Sequence, residues 1–234
     1  MNIAVIPARM GSQRLKQKNL RELGGVPLIT RAIRKCKDAG AFDEIWVNSE
    51  HPAFGAIAAE EGVSFHQRPE ALANDQATSE QFIHEFLTKH PCERVFQVHS
   101  IAPLLTAPRV RRFVEAMVDG GYDVLLSCVL EQIKCALGGR PVNFTFDEKT
   151  NSQDLEPVQR ITWSITGWRA APYLAACEAG KTATYCGRVG FFPIDRMEGH
   201  IIKTEEDLQI AEALLPYAGS HDDNGQAAQE GNRS

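Results

Sequence analysis

Short apolar runs alternate with helical apolar spacings along most of this chain. Five runs are apolar enough to form buried strands: 2–7, 44–48, 94–98, 122–129 and 187–194. Between them, apolar residues recur at intervals of three and four. This spacing predicts helices at 26–39, 52–61, 79–89, 109–118, 168–178 and 204–215. The alternation predicts right-handed βαβ units on a largely parallel sheet, and therefore an α/β fold.

The alternation is interrupted in two places. Residues 131–165 are rich in Gly, Pro and polar side chains, which predicts an excursion from the main sheet, either a hairpin arm or a lid. Residues 218–234 have almost no apolar content, which predicts a disordered tail. Thr204, with Asp207 three residues later, resembles a capping box at the start of the last helix. We therefore expect one domain over 1–217.

Composition narrows the classes of function. The 234 residues are 43% hydrophobic and 24% charged, which suits a globular protein with a sizeable core. No apolar run approaches the roughly 20 residues that cross a bilayer, and we expect neither a signal peptide nor a membrane partner. The six cysteines are scattered, with no CxxC pair, which favours reduced and mostly buried thiols in a cytoplasmic protein.

The charge is distributed unevenly along the chain. Residues 1–38 carry nine basic and two acidic side chains, a net charge of +7. Since the overall net charge is −5, residues 39–234 together carry −12. A protein that binds nucleic acid along its whole surface should be basic overall. The distribution instead indicates a local positive site for a small polyanion.

The most informative segment, directly after the first predicted strand, reads IPARMGSQRLKQKNL. Ligands of open α/β sheets bind outside the carboxyl ends of the strands, so this loop lies where a site is expected. Gly11 lets backbone amides approach a phosphate, and Ser12 adds a hydroxyl donor. Arg9, Arg14 and Lys18 can neutralise a triphosphate and the charge that develops as pyrophosphate leaves. The GxxxxGK[ST] pattern of a Walker A loop is absent, and a solvated basic loop is the alternative interpretation.

This segment resembles the IPARxGSxxxxxKN signature of the CMP-acylneuraminate synthetases, which activate nonulosonic (sialic-acid-like) sugars. The Arg14-Leu15 pair is also similar to the related CMP-Kdo synthetases. Two later stretches extend the resemblance: VNSEHPAFGAIAAEEGVSFHQRPEALANDQATS and TEEDLQIAEALL. Together the three ordered matches span roughly residues 1–215. The resemblance implies a mainly parallel, three-layer α/β sandwich with a Rossmann-like half, the nucleotide-diphospho-sugar transferase fold.

The resemblance also implies roles for individual residues. Arg9, Ser12 and Lys18 would hold the phosphates of CTP, and Asn19 would contact the ribose. The cytosine pocket would be lined by Arg68 and, after Asp75, by Ala77 and Ser79. In the implied reaction a sugar hydroxyl attacks the α-phosphate of CTP and expels pyrophosphate. Such chemistry depends mainly on positioning and charge neutralisation, for which Arg9 and Lys18 are the expected catalytic residues.

Two departures concern the sugar. Where the family has a (Q/N)PTSP stretch, this chain has His99 followed by Ser-Ile-Ala-Pro. His99 either hydrogen-bonds the sugar or is simply a packed or solvent-facing side chain at a strand end. The family's RQDLP becomes SQDLE here, which keeps Gln153 and loses the arginine that would meet an acidic sugar. Arg160 lies nearby as a possible substitute, and an exposed connection or dimer arm is the alternative interpretation.

The third departure concerns Mg²⁺. The family carries a DID-type motif before the last helix, and Ile201 and Lys203 replace its aspartates. Three interpretations stay open: CTP–Mg²⁺ binds with few protein ligands, Lys203 supplies the missing positive charge, or transfer is impaired. Asp195 and Glu198 lie upstream, at an offset that is wrong for a direct exchange.

The expected protein is a cytidylyltransferase that makes a CMP-activated nonulosonic or Kdo-like sugar acid, with Mg²⁺ bound mainly through the CTP phosphates. Two alternatives are a non-catalytic CTP-binding relative and a nucleotidyltransferase of the same fold with another acceptor. Because relatives commonly pair through an insertion such as 131–165, a homodimer is expected, whose partner arm completes the sugar site.

Overall fold

The computed structural model describes residues 1–12, 14–74 and 76–218. Asp75 and the predicted tail beyond residue 218 lie outside the described residues. The strands of the described part are β1 (Asn2–Pro7), β2 (Glu22–Leu23), β3 (Val26–Pro27), β4 (Glu44–Ser49), β5 (Ser64–Gln67), β6 (Arg94–Val98), β7 (Val124–Glu131), β8 (Ala136–Leu137), β9 (Arg140–Pro141), β10 (Val158–Arg169) and β11 (Val189–Pro193). The α-helices are α1 (Leu28–Ala39), α2 (Pro52–Glu60), α3 (Ser79–Lys89), α4 (Ala107–Asp119), α5 (Ala170–Glu178) and α6 (Glu205–Leu214).

Seven strands form the central sheet, in the order β11-β7-β10-β6-β1-β4-β5. β1 pairs in parallel with β4 and β6, β4 with β5, and β7 with β11. Only β10, among the strands described in this sheet, runs antiparallel to its neighbours β6 and β7. The predicted α/β fold with a mainly parallel sheet is confirmed.

The two faces of β1 belong to two separate cores, which explains why this strand is apolar along its whole length. Ala4 and Ile6 face a core that includes side chains of α1, α2 and α4. Ile3 and Val5 face the opposite core, which includes side chains of α3 and α5. Since successive side chains of a strand point to opposite faces, one short segment anchors both layers of helices. The result is the predicted three-layer sandwich.

The prediction for 131–165 is only partly right. β7 runs on to Glu131 and β10 begins at Val158, so the excursion from the sheet spans only about 132–157. The predicted helix at 168–178 is shorter, because β10 continues to Arg169 before α5 begins. The polar start of β10 hides the strand from an apolar pattern, since Val158, Gln159 and Arg160 remain exposed or half-buried. β5 was also missed, being only four residues long.

The excursion exposes an unusual amount of apolar surface. It contains the two-stranded hairpin β8–β9, whose turn residues Gly138 and Gly139 have φ of +57° and +78°. Consecutive positive φ angles suit a type I′ turn, for which glycine has no steric penalty. Leu137, within this hairpin, is 79% exposed, and Phe146, a few residues after it, is 73% exposed. We call residues 132–157 the arm.

Candidate functional site

The segments that follow β1, β4 and β6 meet at one edge of the sheet, because these parallel strands all end there. The amide of Ala8 donates to the Asn48 carbonyl at 3.0 Å, which extends the pairing of β1 and β4 into the basic loop. The amide of His99 donates to the Ser164 carbonyl at 3.2 Å and fixes the end of β6 in the same way. The loop that carries the sequence motif therefore starts from a rigid edge.

A cavity of about 210 Å³ opens at this edge. Its walls come from the end of β1, the basic loop, the start of α3, and β6 with the residues that follow it. They are formed by Pro7, Ala8, Arg9, Ser12, Lys18, Asn19, Arg68, Ser79, Phe82, Gln97, His99, Ser100 and Ile101. We call this space the first cavity. Six residues that the resemblance assigns to CTP, and the sugar candidate His99, lie on its walls.

Asn19 fixes the far end of the basic loop. Its Nδ2 donates to the carbonyl of Arg9 at 2.9 Å, and its Oδ1 accepts from Ser100 Oγ at 2.6 Å. Asn19 and Ser100 are both buried. Buried polar side chains that satisfy each other hold a segment in one conformation. Asn19 therefore ties the loop after β1 to the segment after β6, whatever it contacts in a ligand.

Positive charge collects around Lys18, a half-buried residue of the first cavity's wall. Burial and the neighbouring charges of Arg9, Arg14 and Lys203 lower the pKa of Lys18, while Asp207 opposes this effect. Lys203 thus joins the cations of the basic loop, although about 185 residues of sequence separate it from them. Cations held this close repel one another, and a polyphosphate relieves that repulsion.

Arg68 is a buried part of the cavity wall. Its Nη2 donates to Glu50 Oε2 at 3.1 Å, and its guanidinium lies 4.9 Å from the ring centre of Phe82. Glu50 Oε1 also accepts from the Met10 amide at 2.7 Å, so one carboxylate holds both Arg68 and the basic loop. Burial opposes ionisation of Glu50, yet these hydrogen bonds keep its pKa below the ordinary value.

The start of α3 is fixed by a capping box. Thr78 Oγ1 accepts from the Gln81 amide at 3.3 Å, and Gln81 Oε1 accepts from the Thr78 amide at 2.9 Å. These reciprocal bonds satisfy donors that the first turn of a helix leaves free. They also place Ser79, the first residue of α3, on the wall of the first cavity.

His99 occupies the wall as a neutral imidazole. Burial, together with the nearby charge of Lys18, lowers its pKa to about 4. A neutral imidazole has one donor and one acceptor nitrogen. His99 can therefore hydrogen-bond a neutral hydroxyl group but adds no positive charge for a carboxylate.

A second cavity, of about 570 Å³, adjoins the first through the shared residue Ile101. Its walls are formed by Ile101, Arg160, Ile161, Thr162, Trp163, Arg196, Gly199, His200, Ile201, Lys203 and Asp207. Arg160 and Arg196 both bind Glu131, at 3.0 and 2.9 Å. The backbone of Trp163 has φ of +59°, within the irregular pairing of β10 and β7 between Ile161 and Thr166. A non-glycine residue in this conformation is uncommon, and such strain occurs preferentially at functional sites.

Carboxylates near the two cavities are already engaged. Asp207 Oδ2 accepts from the amides of Lys203 and Thr204, at 2.9 and 2.8 Å, and from Thr204 Oγ1 at 2.9 Å. This arrangement confirms the capping box expected at the start of α6. Arg109 holds the two upstream candidates, Asp195 at 2.9 Å and Glu198 at 2.7 Å.

Among the described residues, no Mg²⁺ site is formed by protein ligands alone. Mg²⁺ needs oxygen ligands in octahedral geometry, and Ile201 and Lys203 supply none from their side chains. Within 1–12, 14–74 and 76–218, no group of three or more His, Cys, Asp or Glu side chains is placed to hold a metal.

Several predicted site residues lie away from the cavity walls. Gly11, Arg14 and Ala77 belong to neither wall, and a Cβ added at Gly11 would meet no atom within 4 Å. Gln153 is exposed on the arm, where its carbonyl accepts from Gln132 Nε2 at 2.7 Å. Their assigned roles stay predictions.

Sequence reasoning missed Glu50, Phe82 and Gln97. Glu50 follows β4 at the same edge as the basic loop. Its position as a polar residue directly after an apolar strand is the sequence feature that could have identified it as a site residue. Phe82 and Gln97 read as ordinary core and strand residues, and no local pattern distinguishes them.

All six cysteines are free. Cys36 and Cys128 are buried, whereas the other four are half-buried, so the expectation of mostly buried thiols holds for two of the six. Burial raises the pKa of Cys36 to about 12. In the described part of the chain, no helix has both the length and the apolar character that crossing a membrane requires.

Comparison with known proteins connects this geometry to a family. The cytidylyltransferase family model matches residues 3–163. N-acylneuraminate cytidylyltransferase A of Danio rerio is 32% identical over 127 residues, which cover 54% of this chain and 30% of the relative. Pseudaminic acid cytidylyltransferase of Campylobacter jejuni is 26% identical over 167 residues, covering 66% of this chain and 72% of the relative.

A solved structure of CMP:2-keto-3-deoxy-manno-octonic acid synthetase, complexed with CTP, has the same fold. The TM-score is 0.68 at 18% identity, and the match covers 92% of this chain and 98% of that one. The first N-acylneuraminate relatives are matched over only about 30% of their length. The family model, by contrast, matches more than half of this chain, including the basic loop, Arg68 and the start of α3. The chain belongs to the cytidylyltransferase family.

Proposed function

We propose that this protein transfers CMP from CTP to a nonulosonic or Kdo-like sugar acid. A hydroxyl oxygen of the sugar bonds to the α-phosphorus, the bond from that phosphorus to the bridging oxygen of the β-phosphate breaks, and pyrophosphate leaves. The hydroxyl proton passes to water. The observation that carries this proposal is that one cavity is lined by residues from two separate matched stretches of sequence: Arg9, Ser12, Lys18, Asn19, Arg68 and Ser79.

The two ends of the first cavity suit the two ends of CTP. Arg9, Ser12 and Lys18 form the more exposed part of the wall, where charged and hydroxyl donors can hold phosphates. Arg68 and Phe82 form a buried end, where an aromatic ring and a planar guanidinium suit a flat base. Binding in this direction places the α-phosphate between the two cavities.

The second cavity suits the acidic acceptor. Arg160, Arg196 and Lys203 line it and favour a carboxylate, and it joins the first cavity at Ile101. The proposed sugar contacts of Gln153 and His99 belong to the same half of the reaction. Gln153 lies on the arm and meets the sugar only if a partner subunit or an arm movement brings it close.

Charge neutralisation is proposed to come from Arg9, Lys18 and Lys203. A Mg²⁺ ion that accompanies CTP would take its ligands from the phosphates and from water, because the described carboxylates are engaged elsewhere. The charge of Lys203 acts on Lys18, which supports a role for Lys203 in neutralising the phosphates.

The test is pyrophosphate release from CTP with a panel of nonulosonic acids and Kdo, with and without Mg²⁺, and with ATP, GTP and UTP as controls. Release that needs both CTP and a sugar acid supports the proposal. Binding of CTP without release for any acceptor favours the non-catalytic relative, for which the replaced aspartates are the motivating observation.

Lys18→Ala is the matched variant, with Lys16→Ala as its control in the same loop. Lys18 lines the first cavity, whereas Lys16 is exposed and does not. Removing one group that stabilises the developing charge should lower kcat by roughly 100-fold or more, and Lys16→Ala should change it less than about threefold. Equal effects of the two variants would contradict the role proposed for Lys18.

A further inference from the structure

The floor of the first cavity contains a side-chain amide whose hydrogen bonds are incomplete. Gln97 is 1% exposed, its Nε2 has no hydrogen-bond partner, and its side chain forms part of the cavity wall. Buried amides are normally paired, because water that solvates them in the unfolded chain is lost on folding. A buried amide left unpaired beside a cavity is therefore a candidate for a ligand contact.

Neighbouring strands add further unpaired groups on the same face of the sheet. Gln97 pairs with Val5 of β1 and Thr166 of β10, and Asn48 pairs with Pro7 two residues along β1. Thr166 Oγ1 and both polar side-chain atoms of Asn48 are buried without partners. Directly paired residues share a face, so these groups surround the end of β1 beneath the cavity.

Gln97 is the member of this group that reaches the ligand space. Asn48 and Thr166 are not part of either cavity wall, whereas Gln97 is. Arg68, on the same wall, also keeps its Nε buried and unpaired. Arg9 and Lys18 are half-buried, whereas Gln97 and Arg68 are buried. A nucleotide whose phosphates bind the more exposed cations would therefore direct its base towards the buried floor.

We propose that Gln97 is a specificity-determining residue that reads the edge of the nucleobase. This inference rests on the proposed function, since it takes CTP as the occupant of the first cavity. A primary amide presents one donor and one acceptor group side by side. Cytosine presents a complementary amino donor and ring-nitrogen acceptor, so the amide can pair with both. Uracil presents the reverse pattern, so the amide must turn end for end about its terminal bond to pair with it.

Replacing Gln97 should change the stability of the free protein and its affinity for CTP in opposite directions. Gln97→Met removes an unpaired buried amide and keeps the side-chain length, so the free protein should melt at the same or a higher temperature. The same change should weaken CTP binding roughly tenfold or more, because the base loses both partners. The preference for CTP over UTP should fall towards one.

Thermal unfolding and titration calorimetry with CTP and UTP test this. Gln209→Met, on the exposed face of α6, is the surface control, and Thr166→Val is the buried control away from the walls. Both controls should keep the wild-type nucleotide preference. If Gln97→Met does not fold, Gln97→Leu replaces it in the same measurements.

The outcomes separate this inference from the proposed function. Wild-type affinity for both nucleotides in the Gln97 variant overturns the inference alone, as does an equal loss for CTP and UTP. A wild-type protein that binds neither nucleotide overturns the proposed function together with it. Selective loss of CTP binding in a protein that is at least as stable supports the role of Gln97 as a reader of the base.

Discussion

The Asn19 side chain anchors the basic loop to the segment that follows β6. It accepts from Ser100 Oγ at 2.6 Å and donates to the Arg9 carbonyl at 2.9 Å, so it links the ends of two strands. The sequence resemblance assigns Asn19 to the ribose. The structure adds a second task, since a loop anchored this way keeps its cations in place before any ligand arrives.

His99 should make stability depend on pH. Its pKa is lowered from 6.5 to about 4 in the folded protein, so the unfolded chain binds the proton first as the pH falls. The protein therefore keeps the full contribution of His99 to its free energy of unfolding above about pH 6.5. That contribution falls progressively between about pH 6.5 and pH 4, as the unfolded chain takes up the proton that folded His99 excludes. Between about pH 7.5 and about pH 5 the loss should be ~1–2 kcal/mol.

Urea unfolding of wild type and His99→Gln at these two pH values measures this contribution. The variant cannot take up the proton, so its free energy of unfolding should fall less on acidification. Other carboxyl and histidine groups titrate equally in both proteins and cancel in the difference. An identical fall in both proteins would show that His99 keeps an ordinary pKa in the folded state.

At the scale of elements, α3 depends on its N-terminal cap. Thr78→Ala removes the acceptor for the Gln81 amide and should cost ~1 kcal/mol of stability. Because Ser79 starts the helix at the cavity wall, CTP binding should also weaken by a few-fold. Urea unfolding and CTP titration measure the two effects.

Thr88→Ala is the control for this change. Thr88 lies in the last turn of α3, where its exposed hydroxyl donates to the Glu85 carbonyl at 2.7 Å without capping the helix. Its loss should cost less than about 0.5 kcal/mol and leave CTP binding unchanged. Equal costs for the two threonines would show that the capping box contributes little.

β10 is the longest of the described strands that the local pattern did not predict. Its first residues are polar and exposed, and its later residues are buried between β6 and β7. Gly167 lies where an added Cβ would come within 2.9 Å of the Phe96 ring. A strand whose character changes along its length, and which contains glycine at a close contact, resembles a loop until its neighbours are known.

At the scale of the whole molecule, the arm should mediate pairing of two subunits. It exposes Leu137, Val142 and Phe146, which are 79%, 57% and 73% exposed, in a short irregular segment. Exposed apolar side chains concentrated in one short segment commonly mark a protein interface. We expect a homodimer, which Leu137→Asp combined with Phe146→Asp should convert to a monomer.

Sedimentation velocity of wild type and this double variant checks the assembly. Ile210→Asp, at an exposed apolar position on α6, is the control and should remain dimeric. A monomeric wild-type protein would contradict the expectation. If pairing also completes the sugar site, the monomer should bind CTP normally and transfer CMP poorly.

The sequence by itself determined the class of fold and the position of the basic loop, because apolar periodicity and a dense cationic motif are local properties. It also indicated the capping box at the start of α6. The tertiary structure decided which distant residues share one space. Glu50, Phe82 and Gln97 come close to the basic loop only in the folded chain, where the segments after β1, β4 and β6 meet at a common edge, and burial there lowers the pKa of His99. Solvent exclusion and contact across strands depend on the assembled chain, so no local pattern contains them.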